Sequence, residues 1–329
     1  MTNFDLYIET YINNLEENTS TIFVNQQIYY LPDLLKFTNL QILNCANNQL
    51  MELPTLNDNL HDLYCNNNLL TKLPTLNDNL HKLYCNDNLL VTLPTLNKNL
   101  RLLNCSNNQL VTLPTVNDKL ETLYCYNNQL VTLPTLNKNL QILNCYNNLL
   151  TFLPTLNKNL HELYCNNNLL TFLPTLNENL QDLNCNNNLL TSLPTLNKNL
   201  HKLDCCNNQL TSLPTLNDKL ETLYCDNNQL TTLPTLNEKL DRLCYDTNPI
   251  YEIINSHDLF IIKQKLKILH TFCHLYYCLK FKTQFRDFLW KKIREPKIIQ
   301  KYHPSYLNKL LIDDAEGTVD LDMVLDNWV

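Results

Sequence analysis

The stretch LPTLNDNLHDLYCNNNLLTK, from Leu53 to Lys72, returns as LPTLNDNLHKLYCNDNLLVT from Leu73 to Thr92 and as LPTLNKNLRLLNCSNNQLVT from Leu93 to Thr112. Self-similarity at a fixed period of 20 residues is the signature of a solenoid, in which each unit buries its apolar side only by stacking on its neighbours. Written from its strand, the unit is L-x-x-L-x-C-x-x-N-x-L-x-x-L-P-T-L-N-x-x. It starts at Leu40, stays in phase until the last copy starts at Leu240, and so occurs eleven times. A degenerate twelfth copy lies upstream, where Phe23, Ile28, Leu31 and Pro32 occupy the corresponding positions, with 22 residues between Leu31 and Leu53.

Each column of the repeat has a physical reason. Leu43 and Cys45 are two apart, so both point inward from a short strand, while Ile42 and Asn44 point outward. Leu40, Leu50, Leu53 and Leu56 complete the buried ring. The asparagine column, Asn48, Asn68, Asn88 and onward to Asn248, falls where the chain leaves the strand, and its amides can satisfy backbone groups of adjacent turns. Pro54 and its equivalents disfavour a helical back and predict an extended or irregular convex side. Parallel rungs ~4.8 Å apart make eleven of them a curved rod roughly 50 Å long.

The ends differ from the middle. Phe4, Ile8, Tyr11, Ile12 and Leu15 form an apolar stripe at helical spacing and predict a capping helix over residues 1–20, ahead of a solenoid over 21–250. From Ser256 the period becomes helical. Leu259, Ile262, Leu266, Leu269, Phe272 and Tyr276 predict one helix behind a Ser256 N-cap, and Phe281, Phe285, Phe288, Leu289 and Ile293 predict a second. Pro296 and Pro304 suit the first turns of further short helices, and Leu321, Val324, Leu325 and Trp328 suggest a last one, so residues 251–329 read as a helical module.

Composition narrows the function classes. The chain has 329 residues, 44% of them apolar and 17% charged, as expected of a soluble folded protein. No window approaches the ~20 apolar residues of a membrane-spanning helix, and MTNFDLYIET lacks the basic and apolar regions of a secretory signal. The expectation is an intracellular protein whose 14 cysteines are reduced and pack as small apolar groups. The only glycine is Gly317, which leaves asparagine to fill tight turns needing the left-handed conformation. Ser256 to Lys309 carries twelve Lys or Arg against three acids. The repeats, however, hold twelve basic against seventeen acidic residues, and the net charge of −7 opposes a phosphate-binding surface, so no nucleic-acid partner is expected.

The unit LPTLNDNLHDLYCNNNLLT resembles the 20-residue leucine-rich-repeat class of the bacterial YopM and IpaH effector families, in which LPxL is followed by xxLxxLxxxxNxL. The resemblance covers about Phe23 to Ile250 and implies a leucine-rich-repeat solenoid with a parallel β-sheet on its concave face. The stretch LWKKIREPKIIQKYHPSYLNKLL, from Leu289 to Leu311, and the ending VLDNWV resemble the tails of proteins from mimivirus-type giant viruses. That resemblance, with which a composition rich in Asn, Ile, Lys and Tyr agrees, implies a viral repeat protein acting in the cytoplasm of an infected host cell.

Candidate chemistry is sparse. The IpaH family joins such repeats to a ubiquitin-ligase domain with a Cys-x-Asp nucleophile, and this chain contains Cys244-Tyr245-Asp246. The triplet lies in the strand of the last repeat and only about eighty residues follow, so it reads as a register irregularity there. A ubiquitin-pathway recruiter or ligase-like effector acting through the C-terminal helices is the alternative function. The column Cys45, Cys65, Cys85 and onward to Cys225 takes the inward position without a second ligand type beside it, which reads as packing. Cys206 faces outward, where a thiol can react. His270, Cys273, His274 and Cys278 share a helix face but span ~12 Å, too far to hold one ion, so neither metal nor cofactor is expected. His61 and His81, neighbours on adjacent rungs, read the same way.

What remains is the concave face. Tyr64, Tyr84, Tyr124, Tyr164 and Tyr224 occupy one outward column, Tyr126 and Tyr146 another, interleaved with Asn44, Asn104, Asn144 and Asn184. Tyrosine offers a large contact area, low side-chain entropy and a polar tip. These residues predict a non-enzymatic scaffold, monomeric, that binds a protein partner, with the centre of binding at Tyr124, Tyr126, Tyr146 and Tyr164.

Overall fold

A computed structural model describes residues 8–297 and Gly317. The chain divides into two compact units, residues 1–264 and 265–329. In the first, the twelve strands among the described residues form one all-parallel sheet in strict sequence order. They are β1 (Thr21–Phe23), β2 (Ile42–Asn44), β3 (Asp62–Tyr64), β4 (Lys82–Tyr84), β5 (Leu102–Asn104), β6 (Thr122–Tyr124), β7 (Ile142–Asn144), β8 (Glu162–Tyr164), β9 (Asp182–Asn184), β10 (Lys202–Asp204), β11 (Thr222–Tyr224) and β12 (Arg242–Cys244). From β2 to β12 the register advances by one repeat per strand, Leu43 beside Leu63, Leu63 beside Leu83, and on to Leu223 beside Leu243. The solenoid is therefore the leucine-rich-repeat fold expected from the repeat.

The interior follows the columns. Leu43, Cys45 and Leu50 are fully buried, as are their equivalents Leu143, Cys145 and Leu150, and Leu53 and Leu56 close the ring behind them. Every fully buried leucine contributes about 1.5–3 kcal/mol relative to exposure, and the repeat supplies several per rung. The convex side is extended backbone and turns, with no helix from residue 45 to 248.

The asparagine column is a ladder of hydrogen bonds. Asn68 Nδ2 donates to the Cys45 carbonyl of the preceding rung at 3.0 Å and to its own Cys65 carbonyl at 3.1 Å, while its Oδ1 accepts from Leu50 N at 3.0 Å. The last rung repeats this, with Asn248 on Cys225 O and Tyr245 O at 2.9 Å and under Leu230 N at 3.0 Å. Just before it, Asn47, Asn67, Asn107 and their equivalents turn the chain at φ between 51 and 58°. Asparagine thus does the work of glycine there. A second ladder, not anticipated from the sequence, runs along the other edge. Asn137 Nδ2 donates to Leu120 O at 3.0 Å and its Oδ1 accepts Leu140 N at 2.8 Å.

The ends correct several expectations. In the degenerate rung, β1 pairs Ile22 with Leu43 and Phe23 with Asn44, so Ile22 and Val24 are buried and Phe23 is 58% exposed. The strand lies one residue out of the phase read from Leu31, because the turn at Gln27 absorbs the difference. Between Ile8 and Ile12 the chain makes a single π-helical turn with Ile12 buried, and Phe4 lies outside the described residues. In β12 there is no slip of register. Leu243 still pairs with Leu223, and Tyr245 takes the inward place that Cys225 holds one rung earlier. It is buried, and its hydroxyl donates to Ser256 O at 2.6 Å.

After the sheet come α1 (Pro249–Ile254) and α2 (Leu259–Leu289). The two helices expected after Ser256 are one continuous element. Its cap is Asp258, whose Oδ1 accepts Phe260 N at 2.8 Å and Ile261 N at 3.2 Å, with Ser256 Oγ accepting the Asp258 N–H instead. A π-helical turn, Trp290–Arg294, follows, and helical backbone continues through Pro296, so that proline starts no separate helix. Ile262 and Leu266 are buried, but Phe272, at 72% exposure, and Tyr276, Phe281, Phe288 and Ile293 are exposed. Pro304 and the stripe from Leu321 to Trp328 lie outside the described residues.

Candidate protein-binding face

The sheet has one face on the core and one open. Strand alternation puts the first and third residues of each strand on the open face, and the next residue but one extends it along the edge. All seven tyrosines singled out from the sequence sit there, and all are half-buried. Tyr64 on β3 and Tyr84 on β4 stack with ring centroids 5.0 Å apart. Tyr126 and Tyr146, which follow β6 and β7, stack at 4.5 Å with their planes 8° apart. In the register of the sheet, Asn144 lies between Tyr124 and Tyr164, which are therefore two strands apart. Tyr224 stands apart on β11, between Asp204 and Cys244.

The face is not uniformly aromatic. The Tyr164 hydroxyl lies 3.2 Å from both Glu162 Oε2 and Asp182 Oδ2. Burial first, and these two carboxylates next, push its phenol well above the usual range. Burial likewise raises Tyr124, Tyr84 and Tyr146, with Glu162, Tyr64 and Tyr126 respectively adding to it. These tyrosines stay neutral donors at physiological pH. The carboxylates were legible in the sequence as single letters at outward columns, but a charge count pooled over the repeats concealed their position.

The thiols are the opposite of activated. Burial pushes Cys45, Cys105 and Cys145 up to about 12. Cys206 corrects its outward, reactive reading, because it is only 9% exposed, with its Sγ 3.2 Å from Asp226 Oδ2. Burial and the neighbouring Asp204 and Asp226 hold it protonated. Cys244 is raised by burial, Asp226 and Asp246, so the Cys-x-Asp triplet sits in a field that disfavours a thiolate nucleophile. The His61 and His81 rings meet edge to face at 5.3 Å, and burial, then His61, lowers His81. Among the described residues no three His, Cys, Asp or Glu side chains gather as a metal site would require, and no helix is long and apolar enough to cross a membrane.

The profile described as Leucine Rich repeats (2 copies) matches residues 198–238. The solved structure of YopM from Yersinia pestis, described as a leucine-rich effector protein, is 32% identical over 72% of this chain and 74% of its own, with a TM-score of 0.66. The chain is a leucine-rich-repeat protein. YopM from Yersinia enterocolitica WA-314 is 33% identical with a TM-score of 0.63, and this leucine-rich-repeat chain spans 57% of that protein's length. The functional domain of InlJ from Listeria monocytogenes, described as including a cysteine ladder, is 25% identical over 70% of this chain and 64% of its own, with a TM-score of 0.51. No curated protein sequence matches the chain.

Proposed function

We propose that this leucine-rich-repeat protein is a non-enzymatic scaffold or adaptor that binds a protein partner on the open face of its sheet, acting inside a host cell. The observation that carries the reading is the aromatic surface itself. Seven half-buried tyrosines lie on one face, four of them in two stacked pairs, which presents a rigid contact area with hydroxyl tips at small entropic cost. In the two stacked pairs each ring rests on its neighbour before any partner arrives. The likeness to a YopM described as an effector protein, and the resemblance of the stretch from Leu289 to Leu311 to giant-virus protein tails, support action in a host. Burial and the neighbouring carboxylates that raise Cys206 and Cys244 disfavour a thiolate nucleophile at either.

The test compares the full chain with Tyr124→Ala, Tyr146→Ala and Tyr164→Ala for capture of proteins from host-cell lysate, followed by titration of the captured protein. Each change is expected to weaken binding by more than about 1 kcal/mol with folding unchanged. Capture indifferent to all three would remove the open face as the binding surface.

A further inference from the structure

The open face is divided by charge. In its two strand columns and the edge column, β2 to β7 hold one acid, Asp62, paired with Lys82 at 3.1 Å. From β8 onward the same columns hold Glu162, Asp182, Asp204, Asp226 and Asp246, which step diagonally from the first column to the edge. Among the described residues none of these five pairs with a Lys or Arg. Lys202 stands opposite Asp182 in register but forms no ion pair with it, and Asp246 has only His257 Nδ1 at 3.6 Å.

The diagonal is also short of donors. Glu162 and Asp182 are directly opposite across β8 and β9, where like charges destabilise a sheet. The single Tyr164 proton serves both carboxylates. Asp182 Oδ1 is shut off from solvent with no hydrogen-bond donor, which is unfavourable for a buried acceptor. Asp204 and Asp226 are served by the fold, Asp204 by Asn186 Nδ2 at 2.8 Å and Cys206 N at 3.2 Å, and Asp226 by Cys206 Sγ and Asp246 N. A row of carboxylates without Lys or Arg partners, two of which share one tyrosine proton, is complementary to guanidinium or ammonium groups. Those bring several donors each and rest on tyrosine faces.

We infer that the acidic diagonal from Glu162 to Asp246 seats an arginine- or lysine-bearing extended segment of the partner protein, with its cationic groups on the carboxylates and its stems along Tyr164 and Tyr224. This rests on the reading of the open face as the binding surface and adds the chemistry of what is bound. Binding should be electrostatic and salt-sensitive. The Debye length falls from roughly 14 to roughly 4 Å between about 0.05 and about 0.5 M salt, which screens the exposed part of the diagonal.

The probe is a fluorescently labelled oligo-arginine peptide titrated with the full chain, read by anisotropy, beside an oligo-glutamate peptide of equal length. Saturable binding of the first alone is expected. The triple variant Glu162→Gln, Asp182→Asn, Asp204→Asn should weaken it about tenfold or more. A control variant with the same change in net charge, Asp58→Asn, Asp118→Asn, Asp218→Asn, removes exposed acids outside the open-face columns and should change it less than about twofold. No saturable oligo-arginine binding at low salt, or equal losses in the two variants, overturns the inference. If oligo-arginine fails while the tyrosine variants still abolish capture of a partner, the face binds a segment of other chemistry. If capture ignores the tyrosines, the face itself is the wrong surface.

Discussion

In β2 to β12 the middle residue of every strand is leucine, and ten of the eleven following inward places are cysteine. The residue opening those same strands runs Ile, Asp, Lys, Leu, Thr, Ile, Glu, Asp, Lys, Thr, Arg. One side of a three-residue strand is therefore a copied part and the other is free to vary. Copying suits the interior, because each rung must fit two neighbours of the same shape, and a ladder amide such as Asn148 finds its partners only if the adjacent turns are identical. Variation suits the open face, where strand pairing is made by backbone groups and leaves the side chains unconstrained. Stability and recognition are thus carried by alternate residues of one peptide.

The largest effect that could break this division is alkaline. Burial raises the thiols of the inward column above 9.0, Cys45, Cys105 and Cys145 to about 12, so they are neutral in the folded chain while the unfolded chain ionises above 9. Stability is fully present below pH 9 and is lost as pH rises toward 12. At about pH 10 each buried thiol costs roughly 1.4 kcal/mol, and the ten together cost on the order of 10 kcal/mol. Urea midpoints should fall steeply from about pH 8 to about pH 10, and a flat profile would mean that the column is not buried.

Next is the amide ladder. Asn148 Nδ2 donates to Cys125 O and Cys145 O, each at 3.1 Å, and its Oδ1 accepts Leu130 N at 3.0 Å. Asn148→Leu should cost roughly 4 kcal/mol by leaving these groups unpaired, read as a shift in the chemical denaturation midpoint. Leu143→Ala, which opens a cavity at a fully buried position, should cost about 3 kcal/mol. The same change at Leu102, on the open face, should stay within about 0.5 kcal/mol. If Leu102→Ala costs as much as Leu143→Ala, the two faces are not distinct.

How far the fold was legible follows the same line. Eleven copies turned the inward columns, the ladder asparagines and the irregular back into readings with one answer, because a misreading would have had to be wrong in every rung. The misreadings fall where copying stops. Phe23 is bulkier than Ile22 and was the natural core candidate, but the turn from Val24 to Ile28 is one residue shorter than the turn from Cys45 to Leu50, so the spacing of 22 residues does not carry back into the strand. Tyr245 fills a cysteine's place because the terminal rung has no following rung to confine it, and its hydroxyl reaches Ser256 O. Asp258 displaced Ser256 as the cap, because the helix starts at Leu259 and places the Asp258 Oδ1 against two of its N–H groups while Ser256 Oγ takes the Asp258 N–H. Cys206 was placed correctly outside the inward column, yet Asp204 in its own rung and Asp226 in the next hold it, and the contact with Asp226 comes from a neighbouring rung that a single repeat does not contain. The tyrosines were legible as a face, but their pairing depends on which neighbours in the register are both aromatic. The acidic diagonal moves one column at a time and so escapes any reading taken column by column.

The most direct measurement compares two adjacent residues with opposite assignments. Cys145 is fully buried, and Tyr146, the next residue, lies on the open face against Tyr126. For Cys145→Ser and Tyr146→Ala, thermal unfolding and partner affinity are measured on the same preparations. Cys145→Ser should lower stability by about 1–3 kcal/mol, because a stronger polar group is buried without a partner, and leave affinity unchanged. Tyr146→Ala should do the reverse, losing more than about 1 kcal/mol of binding, roughly fivefold, with melting unaltered. If both changes move stability and neither moves affinity, or if the cysteine change alone weakens binding, the division between a copied interior and a recognising face is contradicted.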